Sequence, residues 1–124
     1  MVADLSFISL RAVIDVLLGA AVAGGDLVLL VKPQFEAGRA EASKGKGVIV
    51  DPEVWRRVLE EVGVALRGRG AAIMGLMVSP LRGAEGNVEF LIHARSPGGS
   101  GMTPEPPPLP ALIDRALADV LDQR

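Results

Sequence analysis

Three ionisable residues stand at the borders of apolar stretches: Asp4 in Val2-Ala3-Asp4-Leu5-Ser6-Phe7-Ile8-Ser9-Leu10, Lys32 in Val31-Lys32-Pro33-Gln34-Phe35-Glu36, and Glu89 in Asn87-Val88-Glu89-Phe90. In open α/β sheets ligands gather at the carboxyl ends of strands, so Asp4 and Lys32, each closing an apolar stretch, are expected to face one crevice. An amine set among carboxylates suits proton transfer. A lysine takes a proton when burial or cationic neighbours lower its own pKa, and carboxylates then orient the ammonium and stabilise charge in transit. Each residue alone also has a plain structural account: Asp4 as a turn or helix-cap residue, Lys32 as a solvated strand end, Glu89 on the solvent face of an edge strand.

The elements that must position these residues follow from periodicity. Residues 2 to 7 suggest a short strand. Leu10, Val13, Ile14, Leu17, Leu18 and Ala21 recur at helical spacing, with Ser9 as a possible cap and Gly24-Gly25 as the stop. Leu27 to Val31 is continuously apolar, the pattern of a strand covered on both faces of a parallel sheet. Glu36 to Gly47 reads as a surface loop with Lys44 and Lys46 at its basic tip. Asp51-Pro52 predicts a helix start, because aspartate accepts from unpaired amides and proline at the first position forfeits no needed donor. Val54, Trp55, Val58, Leu59, Val62 and Leu66 form the buried stripe of that helix, which Gly68 and Gly70 end. Ala71 to Val78 is the next strand, and Val88, Phe90 and Ile92 alternate with Glu89, Leu91 and His93 in a last one. The short Pro80–Gly86 connection implies that these two are antiparallel.

The expected fold is therefore α/β: strand, helix, strand, helix, strand, strand, mostly parallel with an antiparallel last strand. It occupies residues 1–95. Residues 96–110, rich in Pro and Gly, read as an extended linker, and residues 111–124 as an amphipathic helix, its apolar stripe formed by Leu109, Leu112, Ile113, Ala116, Leu117, Val120 and Leu121.

Composition narrows the chemistry. The chain has 124 residues, of which 49% are hydrophobic, enough for one domain with a real core. It contains no cysteine, so disulfide and zinc-thiolate chemistry is excluded, and a cytoplasmic setting fits. The formal net charge of −2 leaves no basic surplus for gripping nucleic acid unaided. The most apolar stretch, Val16 to Val31, is interrupted by Gly24-Gly25-Asp26 and is shorter than the roughly 20 residues of a membrane span. No basic region leads into an apolar one at the start, which argues against a signal peptide. The sole histidine, His93, has no partners for a metal site and reads as a strand residue bonding locally. Trp55 reads as core. Ser6, Ser9 and Ser79 lack a base at any recognisable spacing.

The three strings, in this order, resemble the later half of TlyA-type (hemolysin A-like) ribosomal RNA 2′-O-methyltransferases with an FtsJ-like domain. The resemblance covers residues 2–95. It implies the later half of a Rossmann-like methyltransferase sheet, S-adenosylmethionine as cofactor, and cytidine ribose in ribosomal RNA as substrate. It assigns Asp4, Lys32 and Glu89 to the family's catalytic Lys-Asp-Lys-Glu set, whose first lysine has no counterpart here. It also implies that Asp4 and Leu5 touch the cofactor. From the residues themselves, Phe35 beside Lys32 suits flanking a splayed nucleotide, and Arg39, Lys44 and Lys46 suit phosphate contacts when their loop closes, although an exposed charged loop is the commoner meaning of such a stretch. The family's S4 domain and glycine-rich cofactor turn precede the point where the resemblance begins, so the chain is expected to work within a larger enzyme on ribosomal RNA or the ribosomal subunit. Two other readings stand beside this one. The chain is a non-catalytic half that pairs with another polypeptide, or with itself, through an exposed sheet edge. Or it lyses membranes as a hemolysin, against which the mixed-sign polar faces of its helices argue.

Overall fold

The computed structural model describes residues 2–3, 14, 17–36, 48–83, 86–98 and 107–122. Its elements are strand β1 (Val2–Ala3), strand β2 (Asp26–Val31), the single helical turn α1 (Pro33–Glu36), helix α2 (Pro52–Gly68), strand β3 (Ala72–Val78), strand β4 (Phe90–Arg95) and helix α3 (Leu109–Asp122). Residues 17–20 are helical as well, and Ile14 ahead of them is buried. Ser9 and the rest of the predicted first helix lie outside the described residues, as do residues 37–47 of the predicted loop.

The four strands form one sheet in the order β1-β2-β4-β3. β1 pairs with β2 in parallel, whereas β4 is antiparallel to both β2 and β3. The last strand is antiparallel as expected, but the sheet is not mostly parallel by its neighbours. β2 and β3 run in the same direction, yet they never meet, because β4 inserts between them. β4 is thus an interior strand.

The α2 residues that the spacing marks as a stripe, Val54, Trp55, Val58, Leu59, Val62 and Leu66, are all buried. Fully burying a side chain of this kind contributes roughly 1.5–3 kcal/mol, so this face is the main anchor of the fold. Asp51 caps the helix as predicted, its carboxylate accepting from the Glu53 amide at 2.9 Å, with Pro52 at the first position. α3 begins at Leu109 rather than at 111: the Leu-Pro pair starts the helix, since proline suits its first turn. Leu109, Ile113, Ala116, Leu117 and Val120 are buried against α2 and β3, while Leu121 is exposed. Leu109 comes so near to α2 that a Cβ on Gly63 would lie 2.6 Å from its Cδ2, so the glycine is what admits the helix. Arg56 and Asp114 join the two helices at 2.7 Å. The predicted linker is pinned at its start: Ser96 is buried, donates through its hydroxyl to the Val22 carbonyl, and exchanges bonds with Gly25.

All this packing lies on one face of the sheet. Leu27, Leu29 and Val31 of β2, Phe90, Ile92 and Ala94 of β4, and Ile73 and Val78 of β3 join the helices in a single core. Val28, Leu30, Leu91 and His93, pointing the other way, are half-buried, and Met77 is exposed. The expectation that β2 is covered on both faces is therefore not met among the described residues.

Candidate active site

The carboxyl ends of β2 and β3 and the start of β4 fall at one end of the sheet, where Val31, Phe90 and Val78 form the last paired row. The residues that follow this row make the site. Lys32 leaves β2 half-buried, and Pro33 and Gln34 turn at once into α1, both buried. On the neighbouring strand Asn87, Val88 and Glu89 approach β4 in an unbroken buried run. Glu89 is 6% exposed. This corrects both structural expectations for it: the strand starts at Phe90, two residues later than the expected Val88, and the carboxylate lies at the start of an interior strand rather than on the solvent face of an edge strand.

A buried carboxylate needs partners. Gln34 supplies one, its Nε2 donating to Glu89 Oε2 at 2.8 Å across 55 positions of sequence. The glutamine's own Oε1 is buried with no hydrogen-bond partner. Glu89's backbone is fixed by the Ser79 amide, which donates to its carbonyl at 2.8 Å. Ser79 serves the turn after β3, its hydroxyl accepting from the Leu81 amide at 3.2 Å. That turn brings Gly83 beside the Glu89 carboxylate, where an added Cβ would overlap Oε2 unless the carboxylate moved. Asn87, 1% exposed, accepts from the Ile49 amide at 2.9 Å, and Trp55 donates to the Ile49 carbonyl at 3.2 Å. Trp55 also meets Phe90 edge-on, with ring centroids 6.3 Å apart. Trp55 is thus a core residue that carries the site's floor.

The structure brings Lys32 and Glu89 to one end of the sheet. Asp4, Leu5, Arg39, Lys44 and Lys46 lie outside the described residues, and Phe35 is placed in α1 without a described side chain. Gln34, Gly83 and Asn87 had not been singled out individually. The one available signal was position: Gln34 sits two residues beyond Lys32 and Asn87 two before Glu89, within strings already marked.

At the opposite end of the sheet His93 Nε2 lies 2.9 Å from Asp26 Oδ1, and Arg95 Nε lies 3.3 Å from the same oxygen. These bonds, His93 first, hold the Asp26 carboxyl below the usual aspartate value. His93 thus bonds locally, as its sequence context implied. Among the described residues no three His, Cys, Asp or Glu side chains gather in a way that would hold a metal, and no helix is long and apolar enough to cross a membrane.

In this α/β chain the half-buried Lys32 and the buried Glu89 thus sit at one end of the sheet. Residues 1–96 match the FtsJ-like methyltransferase family model, and the chain belongs to that family. Among relatives, it is 46% identical over 95 residues to a candidate rRNA methyltransferase of Bacillus subtilis, YqxC, covering 77% of this chain and 34% of that protein. It is 43% identical over 96 residues to the 16S/23S rRNA (cytidine-2′-O)-methyltransferase TlyA of Mycobacterium tuberculosis, covering 77% of this chain and 35% of that one. The crystal structure of a candidate hemolysin from Lactococcus lactis superposes with a TM-score of 0.77 at 34% identity, over 92% of this chain and 53% of the other. The chain spans about a third of the length of the curated relatives it matches.

Proposed function

We propose that this chain contributes the later half of an S-adenosylmethionine-dependent ribose 2′-O-methyltransferase acting on ribosomal RNA, with cytidine as the target nucleoside and the cytoplasm as its setting. The observation that carries the proposal is the pairing of position and burial: Lys32 follows β2 and Glu89 precedes the adjacent β4 at one end of the sheet, and Glu89 is kept buried there. Transfer of a methyl group to a 2′-hydroxyl requires that the hydroxyl be held in line and lose its proton. In this proposal Lys32 engages the hydroxyl oxygen, and Glu89, with Asp4, orients the charged groups around it. Phe35, Arg39, Lys44 and Lys46 are proposed to meet the RNA.

The described residues do not form a cradle for the cofactor. The space around Glu89 is taken up by Gln34 and Gly83, and Asp4 and Leu5, proposed to touch the cofactor, lie outside the described residues. The test is Lys32→Ala in the complete protein, or in this chain complemented by the remainder of the domain. Methylation is expected to fall at least about 100-fold, the scale of a lost proton-transfer group. An unchanged rate would sink the role.

A second reading, a half-domain that pairs with another polypeptide, is favoured by one observation. From Leu27 to Val31 β2 has the continuously apolar composition of a strand covered on both faces, yet Val28 and Leu30 lie on a face that no described helix covers. The same surface, together with the outer edge of β1, would accept the rest of a methyltransferase domain or a second copy of the chain. Sedimentation of the purified chain tests it: concentration-dependent association is expected, and a strict monomer with a stable fold counts against it.

A further inference from the structure

We propose that Gln34 is a positioning residue for Glu89, with Gly83 as its steric counterpart; this rests on the reading of Glu89 as part of the methyl-transfer site. One carboxylate oxygen is held from one side and given room on another. Gln34 Nε2 donates to Glu89 Oε2 at 2.8 Å, and a Cβ at position 83 would overlap that same oxygen. The backbone beneath it is fixed by the bond from the Ser79 amide. A donor aimed at an ionised oxygen gives a short, directional bond, so the amide sets where the carboxylate points as well as neutralising part of its burial cost.

The other half of the glutamine shows that fold stability is not what this contact serves best. Gln34 is 8% exposed, and its Oε1 has no hydrogen-bond partner. A buried acceptor left unpaired costs stability, and an apolar side chain of similar length would avoid that cost. What an apolar residue cannot supply is the N–H on Glu89. Relative to a pair apolar at both positions the arrangement gives up stability, and it gains a fixed carboxylate, as expected of a group that holds another in a working orientation.

Two measurements test the proposal. Gln34 and Gln123 are the only glutamines of the chain, so their side-chain amides are readily assigned in a ¹⁵N spectrum. The Gln34 amide protons are expected to exchange with solvent at least about tenfold more slowly than those of free glutamine, and Glu89→Ala is expected to remove that protection. Protection that survives Glu89→Ala, or that is absent from the start, overturns the contact. The second measurement is kinetic, in the complete or complemented enzyme. Gln34→Met is expected to lower kcat about 10- to 100-fold with KM for RNA changed by no more than about threefold, as misorientation of a reacting group does. In a Glu89→Gln background the same change is expected to alter kcat by less than about twofold, because residues acting through one another are not additive. Equal losses in both backgrounds, or an unchanged kcat for Gln34→Met, overturn the proposal alone; an unchanged kcat for Glu89→Gln overturns the functional reading beneath it. Gly83→Ala is the companion variant. Its added methyl meets the far end of a flexible side chain, so kcat is expected to fall about tenfold while the melting temperature holds within a few degrees. Wild-type kcat in Gly83→Ala would remove the glycine from the proposal.

Discussion

The two ends of β2 and β4 carry similar residue types in opposite physical settings. At one end Asp26, His93 and Arg95 cluster in water, the Asp26 side chain being 61% exposed. At the other, Glu89 and Gln34 are almost wholly buried, with one bond between them and one acceptor left unpaired. Exposed ion pairs contribute at most about 1 kcal/mol and tolerate loss, whereas a buried polar pair draws on the stability of the fold and persists only where something requires it. Charge alone therefore does not mark a site on this sheet; the distinguishing feature is polarity held under cover at the carboxyl ends of β2 and β3.

The comparison breaks most visibly in activity. Glu89→Gln in the complete or complemented enzyme is expected to lower methylation about 100-fold, equivalent to about 2.7 kcal/mol of barrier, while Asp26→Asn at the far end leaves the rate within about twofold. A radiolabelled methyl-transfer assay with both variants decides it. Equal losses at the two ends would erase the distinction.

Much of this arrangement could be read from the chain before any coordinates. The α2 stripe, its Asp51-Pro52 start and the antiparallel last strand follow from spacing and capping, which are local and strong. The sheet order is not local: nothing within β3 or β4 announces that β4 passes between its neighbours, so the sheet looked more parallel than it is. Glu89 falls on the outward-facing side by alternation, yet Gln34, 55 positions away in sequence, and the turn that carries Gly83 lie against it and it is buried. The start of α3 was placed two residues late because Leu109-Pro110 belongs equally to a proline-rich run and to a helix's first turn. Lys32 and Glu89 were legible through the strings around them, whereas Gln34 was legible only as their neighbour.

Stability sharpens the contrast within the buried end. Asn87→Ala removes the acceptor for the Ile49 amide and is expected to cost about 1–3 kcal/mol in urea denaturation. Gln34→Met leaves the Glu89 carboxylate without its described donor and is expected to cost a similar amount, again about 1–3 kcal/mol. The double change Gln34→Met with Glu89→Met should recover most of that loss, since replacing both partners by apolar groups of like shape is close to neutral. Asn87 would then stand as a structural polar residue and the Gln34–Glu89 pair as one that the fold does not need. A double variant no more stable than Gln34→Met would instead make the pair structural.

The smallest effect is expected at the exposed end, in acid. His93 and Arg95 bond the ionised form of Asp26 and lower its pKa below the ordinary 3.8. A carboxyl whose pKa is depressed by folding stabilises the folded state above its unfolded value, and that contribution is lost as pH falls through the lower, folded value. The affected window therefore lies below about pH 4, beginning near the ordinary aspartate range. Asp26→Asn removes the titration, so thermal melts of the variant should fall less steeply with acidification in that window than those of the wild type, while the two differ little at pH 7, where an exposed pair contributes little. Because the pair is open to solvent, the difference should also shrink as salt is raised. A variant that loses stability as steeply as the wild type below pH 4 would show that the charges at this end do not act on the fold even where their titration is greatest.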